Sequence, residues 1–265
     1  MTNSKQNESR NHILIVDLDG TVVDSPVQKL PTARLKSAFA NAQQKYKISA
    51  ATGRPWTFAK DIISDLGLTE PSIVAGGTQI RASDGSVLWQ SNIDRNDLVA
   101  IVGIVSSIPN HSILINEYEE SDYLEDKGIS VQEINLDIDI HFLELIYLTN
   151  NEATAIKEKI DNLPNVTATI VTAQREGLKD LHVTNQFATK EHAIAEVLKL
   201  TQVDVDQTTG IGDGHNDLHL FAAVKNKIAM GNAAEELIAA SDRVIGNVQD
   251  DGLADYLDEI STSLK

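Results

Sequence analysis

His12-Ile13-Leu14-Ile15-Val16-Asp17-Leu18-Asp19-Gly20-Thr21 is an apolar run that stops at two aspartates and a glycine. Such a run predicts a buried parallel strand that carries its acids to its C-terminal edge. Open α/β sheets bind their ligands at that edge. Two acids one residue apart, followed at once by a turn, suit a site for a divalent cation and a phosphate. One carboxylate can attack phosphorus while the other handles the leaving-group proton.

Working outward, the same rhythm continues. Leu35, Ala38, Phe39, Ala42 and Tyr46 fall at helical spacing, and Ile48–Thr52 reads as a second strand ended by Gly53-Arg54-Pro55. Pro55 suits the first turn of a helix whose apolar face is Phe58, Ile62, Ile63 and Leu66. Ser72–Ala75 reads as a third strand, closed by Gly76-Gly77. Strand, helix, strand, helix, strand predicts a parallel sheet. From Thr189 the pattern returns, with strands near 208–212, 227–230 and 243–245 separated by helices.

The middle of the chain differs. A helix on Leu98, Ile101, Val102 and Val105, stopped by Pro109, precedes strands at 112–115 and 142–148. A second helix on Ala153, Ile156, Ile160 and Leu163 precedes strands near 165–172 and 179–184. Helix-strand-strand twice over predicts helices on one face of a mostly antiparallel sheet. Residues 119–140 are acidic and receive no element. The expected fold is therefore α/β, a Rossmann-like parallel core of 1–77 plus 187–265 with an α+β domain inserted at 78–186. Gly76-Gly77 and Gln186-Phe187-Ala188 are the expected hinges.

Composition narrows the function. The 265 residues carry a formal net charge of −17, which argues against nucleic acid, since duplex binding needs Lys and Arg at phosphates. There is no cysteine, so disulfides and thiolate metal sites are excluded. No run approaches the ~20 apolar residues of a membrane span. The segment Met1–Arg10 is polar and lacks a signal peptide's apolar stretch, so a cytoplasmic location and no membrane partner are expected.

Four segments in order carry the chemistry: Asp17-x-Asp19-Gly20-Thr21, Ala51-Thr52-Gly53-Arg54, Lys190, and Gly212-Asp213-Gly214-His215-Asn216-Asp217. With Ala229-Met230-Gly231-Asn232-Ala233 and Asp251-Gly252-Leu253-Ala254, they make the chain resemble the haloacid dehalogenase superfamily of phosphohydrolases. The similarity is to its Cof-type, IIB branch, whose α+β cap lies between the second and third segments. The branch usually has Gly after the lysine, whereas this chain has Glu191.

The resemblance implies a Mg²⁺-dependent phosphatase acting on a small phosphorylated metabolite, a sugar phosphate or similar polyol phosphate. Asp17 is then the nucleophile that forms an aspartyl-phosphate, and Asp19 the general acid and base. Mg²⁺ is held by the Asp17 carboxylate, the Asp19 backbone carbonyl and Asp213. Thr52, Gly53, Arg54, Lys190 and Asn216 grip the substrate anion, with Thr52 and Lys190 also serving catalysis. Asp217 orients Lys190 or a metal-bound water, and Thr21 bonds locally in its turn.

His215 and His219 are weak zinc candidates because no other soft ligand accompanies them. Arg81, Asn116, Glu117, His182 and Asn185 are the candidates for substrate selection by the insertion. A phosphosugar mutase and a non-catalytic sugar-phosphate-binding module are the alternatives. The oligomeric state is not legible in the sequence.

Overall fold

A computed structural model describes residues 11–24, 30–107, 112–118, 122 and 127–262. The decapeptide Met1–Arg10, the expected stop at Pro109 and part of the acidic stretch 119–140 lie outside the described residues. The chain forms two compact units, Met1–Trp89 with Thr189–Lys265, and Gln90–Ala188.

The first unit is built on a five-stranded parallel sheet. Its strands are β1 (Ile13–Val16), β2 (Lys47–Ala50), β10 (Thr208–Gly212), β11 (Asn226–Ala229) and β12 (Arg243–Val244), in the order β12-β11-β10-β1-β2. All four residues of β1 are buried, and they alternate between two cores. Leu14 and Val16 face helices α1 (Ala33–Ala42), α2 (Trp56–Asp65) and α8 (Gly252–Thr262), through Phe39, Ile62 and Leu257. Ile13 and Ile15 face α5 (Lys190–Thr201), α6 (Leu218–Ala222) and α7 (Glu235–Ala240), through Ile194, Phe221 and Leu237. Burial on both faces explains why the strand is apolar without interruption.

The third strand, β3 (Ser72–Val74), follows the sequence pattern only in part. It runs parallel beside the end of β2, through the Ala51–Ile73 bridge and the Thr52 N–H on the Ile73 carbonyl, but it also pairs antiparallel with β4 (Gln79–Arg81), beside which runs β5 (Val87–Gln90). This pairing keeps β4 with the first unit, so the second unit begins at Gln90 and not at the expected residue 78. Gly76-Gly77 therefore lies inside the first unit. Gly77 has φ +110°, and a Cβ there would come within 2.4 Å of the Thr189 carbonyl carbon. It is a close-packed turn and not a junction between the units.

The second unit carries an antiparallel sheet in the order β6-β7-β9-β8. Its strands are β6 (Ile113–Ile115), β7 (Phe142–Leu148), β8 (Val166–Thr172) and β9 (Lys179–Asn185). Helices α3 (Arg95–Val105) and α4 (Asn150–Ile160) pack on Leu143, Leu145, Leu181 and Val183 through Leu98, Ile101, Ala153 and Ile156. Thr149 and Glu152 form a capping box that starts α4. Of the unplaced acidic stretch, the described part includes a short 3₁₀ turn at Val131–Glu133 and a bridge from Ile129 to Ile113.

Candidate active site

The site lies within the first unit, where parallel strands end. Asp17 directly follows β1, and its N–H donates to the Ile211 carbonyl of β10 at 2.9 Å. Asp213 directly follows β10, so two acids leave adjacent strands side by side. The chain then turns sharply, the Leu18 carbonyl accepting from the N–H groups of Val22 and Val23 at 2.8 and 2.9 Å. Gly20 makes the turn at φ +74°, and a Cβ at this position would lie 2.0 Å from Asp213 Oδ2. Glycine is required here by both conformation and space.

Lys190 comes from the other end of the sequence. Thr189 caps α5, its hydroxyl accepting from the His192 N–H, and Lys190 is the first helical residue. Its Nζ donates to Asp17 Oδ1 at 2.5 Å and to Asp217 Oδ1 at 2.6 Å, all three groups being buried. A cation in the first turn opposes the helix dipole, so these two carboxylates supply its stabilisation. Glu191, where glycine was expected, is an exposed first-turn residue of the same helix and leaves Lys190 in place. Asp217 Oδ2 accepts from the N–H groups of Asp213 and Gly214 at 3.0 and 2.9 Å. Asp217 is thus filled by protein donors and orients Lys190.

Charge in this cluster is unbalanced, because one ammonium bridges Asp17 and Asp217 while the Asp213 carboxylate stands beside them as a third acid. Burial pushes the Asp17 carboxyl well above its ordinary range; Asp217 and Asp213 raise it further, while Lys190 opposes. Asp213 is pushed up to about 6, by burial first and then by Asp217. Burial would lower Lys190, but Asp17 and Asp217 outweigh it and push it up to about 12.

Oxygens of Asp17, Asp213 and Asp217 all lie within 4.8 Å of one another. An all-oxygen, carboxylate-rich donor set with surplus negative charge fits a hard divalent cation such as Mg²⁺ and does not fit a thiophilic metal. Since Asp217 is already engaged, Asp17 and Asp213 are the side chains with capacity for the ion. His215 and His219 are exposed and outside this cluster.

Other expected residues fall differently. The Asp19 carboxylate is turned to Arg54, whose Nε donates to both its oxygens at 3.1 and 2.9 Å and whose Nη2 donates to Oδ1 at 2.6 Å. Arg54, expected on the substrate anion, is therefore bound to Asp19. Thr52 is buried, and its Oγ1 accepts from the Arg54 N–H at 3.1 Å, which leaves its own hydroxyl hydrogen to donate. Gly53 and Asn216 are exposed on the turns after β2 and β10.

Two residues gain roles the sequence did not assign. Thr21 bonds over a long range, its hydroxyl donating to Asp213 Oδ1 at 3.2 Å. Asn232 donates to the Gly20 carbonyl at 2.8 Å and to Asp213 Oδ2 at 3.4 Å, and accepts from the Val248 N–H. The only signal for Asn232 was its place in the Met230-Gly231-Asn232 signature.

Among the insertion candidates, Arg81 lies in the first unit and braces the β4–β5 turn through the Gly85 carbonyl. Asn116 and Asn185 bond backbone groups at Asp139, His141, Asn92 and Phe187. His182 pairs with the buried Glu144 at 3.0 Å, and Glu117 is exposed.

A family model described as haloacid dehalogenase-like hydrolase matches residues 14–257. The chain belongs to this family. The expected resemblance is thereby borne out, and the parallel core with an additional antiparallel sheet agrees with it. The putative phosphatase YkrA of Bacillus subtilis is 22% identical to this haloacid dehalogenase-like hydrolase, over 94% of the chain and 97% of the relative. A chloroplastic endoribonuclease YBEY of Arabidopsis thaliana is 23% identical over 92% of the chain, but the match spans 45% of that longer protein. Among solved structures, the subclass IIB sugar phosphatase BT4131 has a TM-score of 0.71 at 20% identity, covering 94% of this chain and 98% of that one. Among the described residues, no helix is long and apolar enough to cross a membrane.

Proposed function

We propose that this hydrolase is a Mg²⁺-dependent phosphatase that cleaves a small phosphorylated metabolite, a sugar phosphate or similar polyol phosphate, through an aspartyl-phosphate. The observation that carries the reading is the buried Lys190 ammonium bridging Asp17 and Asp217 beside Asp213. Among the described residues no side chain donates to Asp17 Oδ2, while Oδ1 is fixed by Lys190, so Oδ2 is the oxygen that faces phosphorus.

In the first step Asp17 Oδ2 bonds to phosphorus and the bond to the leaving oxygen breaks, with Asp19 giving that oxygen its proton. In the second, water attacks phosphorus, Asp19 takes its proton, and the bond to Asp17 breaks, regenerating the carboxylate and releasing inorganic phosphate. Lys190 holds Asp17 in place and offsets charge at the phosphoryl group. The Thr52 hydroxyl and the exposed Gly53 turn are placed to donate to phosphate oxygens, and Asn216 can donate without adding charge. Asp17, Asp213 and the Asp19 carbonyl would hold Mg²⁺, which when bound would supply the positive charge that lets a carboxylate approach an anionic phosphate. The inserted unit is assigned to substrate selection.

The kinship supports the reaction class, since YkrA is named a putative phosphatase and BT4131 a sugar phosphatase. The test is phosphate release from a panel of phosphorylated metabolites with Mg²⁺. Asp17→Asn should lower turnover at least about 10³-fold, since the nucleophile is gone. Turnover equal to that of the unmodified protein would sink the assignment.

A further inference from the structure

Asp19 poses a problem of placement that the sequence does not reveal. The backbone around it is fixed by the turn at Leu18–Val23, but its side chain is 41% exposed and ends a short, rotatable stem. It sits two residues from Asp17, beside carboxylates arranged for a divalent cation. A hard cation draws in any carboxylate within reach, and a carboxylate bound to metal cannot carry a proton to a leaving group. A proton-transferring acid in this position needs a competing partner.

Arg54 is that partner. It makes three contacts on Asp19, Nε reaching both oxygens and Nη2 reaching Oδ1, and the guanidinium fork fixes the orientation of a carboxylate as well as its position. Arg54 is itself anchored. Its N–H donates to Thr52 Oγ1, its carbonyl accepts from the Ala75 N–H at 2.7 Å, and its Nη1 reaches the Phe58 carbonyl in α2. Only 23% of its side chain is exposed. The Asp19 carboxylate is not among the oxygens that cluster within 4.8 Å.

We propose that Arg54 is a positioning residue for Asp19, holding its carboxylate off the cation and aimed for proton exchange, and is not an anchor for the substrate anion. The proposal rests on the phosphatase reading above. It predicts an effect on both proton transfers, because one carboxylate serves the leaving oxygen and then the water.

The experiment compares phenyl phosphate with 4-nitrophenyl phosphate on the unmodified protein, Arg54→Gln and Arg54→Lys, all with saturating Mg²⁺. 4-Nitrophenolate leaves without a proton, whereas phenolate leaves far better with one. Arg54→Gln should lower kcat/KM for phenyl phosphate about 10²-fold and for 4-nitrophenyl phosphate only a few-fold. Water activation should also slow, so 4-nitrophenol should appear in a burst of one equivalent per site. Arg54→Lys keeps the charge without the fork and should show the same selectivity and burst, with a smaller loss.

Equal losses on both phosphates without a burst would reduce Arg54 to a structural role. A raised KM with unchanged kcat would make it an anion anchor, and full recovery by lysine would show that charge alone suffices; each overturns the proposal. If the unmodified protein hydrolyses neither ester, the phosphatase reading itself falls. Activity in the unmodified protein with no change in either variant removes the role of Arg54 alone.

Discussion

Both units of this protein bury a carboxylate, and they treat it in opposite ways. In the inserted unit Glu144 meets the Tyr118 hydroxyl and the His182 ring, two donors for one acid. In the core unit the ammonium of Lys190 bridges Asp17 and Asp217, and the Asp213 carboxylate lies beside them, held among the described residues by neutral donors alone. A buried acid with enough donors is a structural element. A cluster whose carboxylates outnumber its cations is incomplete in charge, and it holds together best with a cation that the chain does not supply. The difference in charge balance, more than burial itself, separates a reactive site from a brace.

The largest effect should come from removing the ammonium. Lys190→Met leaves Asp17 and Asp217 buried without their cation, and breaking such a pair costs roughly 3–5 kcal/mol. Denaturant unfolding should register this loss, and phosphate release should fall with it. Asp17→Asn leaves Lys190 on Asp217 and removes one of the surplus acids, so its unfolding midpoint should not drop comparably. A drop as large as that of Lys190→Met would show that the charge comparison is misjudged.

The cation demand gives a pH signature. In the absence of metal, Asp17 and Asp213 bind protons more tightly when folded than when unfolded, Asp213 at about 6 against an ordinary 3.8. The folded state then holds more protons, so stability is lost as pH rises from near 4 through about 6. Mg²⁺ binds the deprotonated site and should restore that loss. Thermal unfolding with and without Mg²⁺ should show a larger rise in Tm at pH 8 than at pH 5. A rise that does not depend on pH would place the ion elsewhere.

Asn232 sharpens the comparison from outside the cluster. It ties Asp213 to the Gly20 turn, so Asn232→Ala should weaken Mg²⁺ affinity about tenfold by calorimetric titration. In the inserted unit, Glu144→Gln should cost about 1–3 kcal/mol by disturbing a buried hydrogen-bonded acid. It should leave the Mg²⁺-dependent rise in Tm unchanged, since His182 and Tyr118 belong to a brace and not to the cation site.

Much of this molecule was legible in one dimension because its signals are local. Leu14 and Val16 alternate with Ile13 and Ile15, and burial on both faces writes an uninterrupted apolar strand. Helical spacing at Leu35–Ala42 and Ala153–Ile160 marks faces that pack where the periodicity says they should. The β3 strand lies parallel beside the end of β2 as its apolar run suggested, but that run does not reveal a second partner, and hairpin pairing with β4 kept residues 78–89 in the core unit. The Gly76-Gly77 pair shows the same limit, since a glycine signals freedom or close contact equally well until a neighbour such as Thr189 is in place.

By itself the sequence determined the elements, their α/β order, and which acids follow which strands, because those follow from residue spacing and strand polarity. Tertiary structure alone decided the pairings across long separations: Lys190 on Asp17 and Asp217, Arg54 on Asp19, and Thr21 and Asn232 on Asp213. Each is a contact a few ångströms long between residues far apart in the chain. No local propensity encodes such a contact; it exists only once the packed sheet brings the strand ends together.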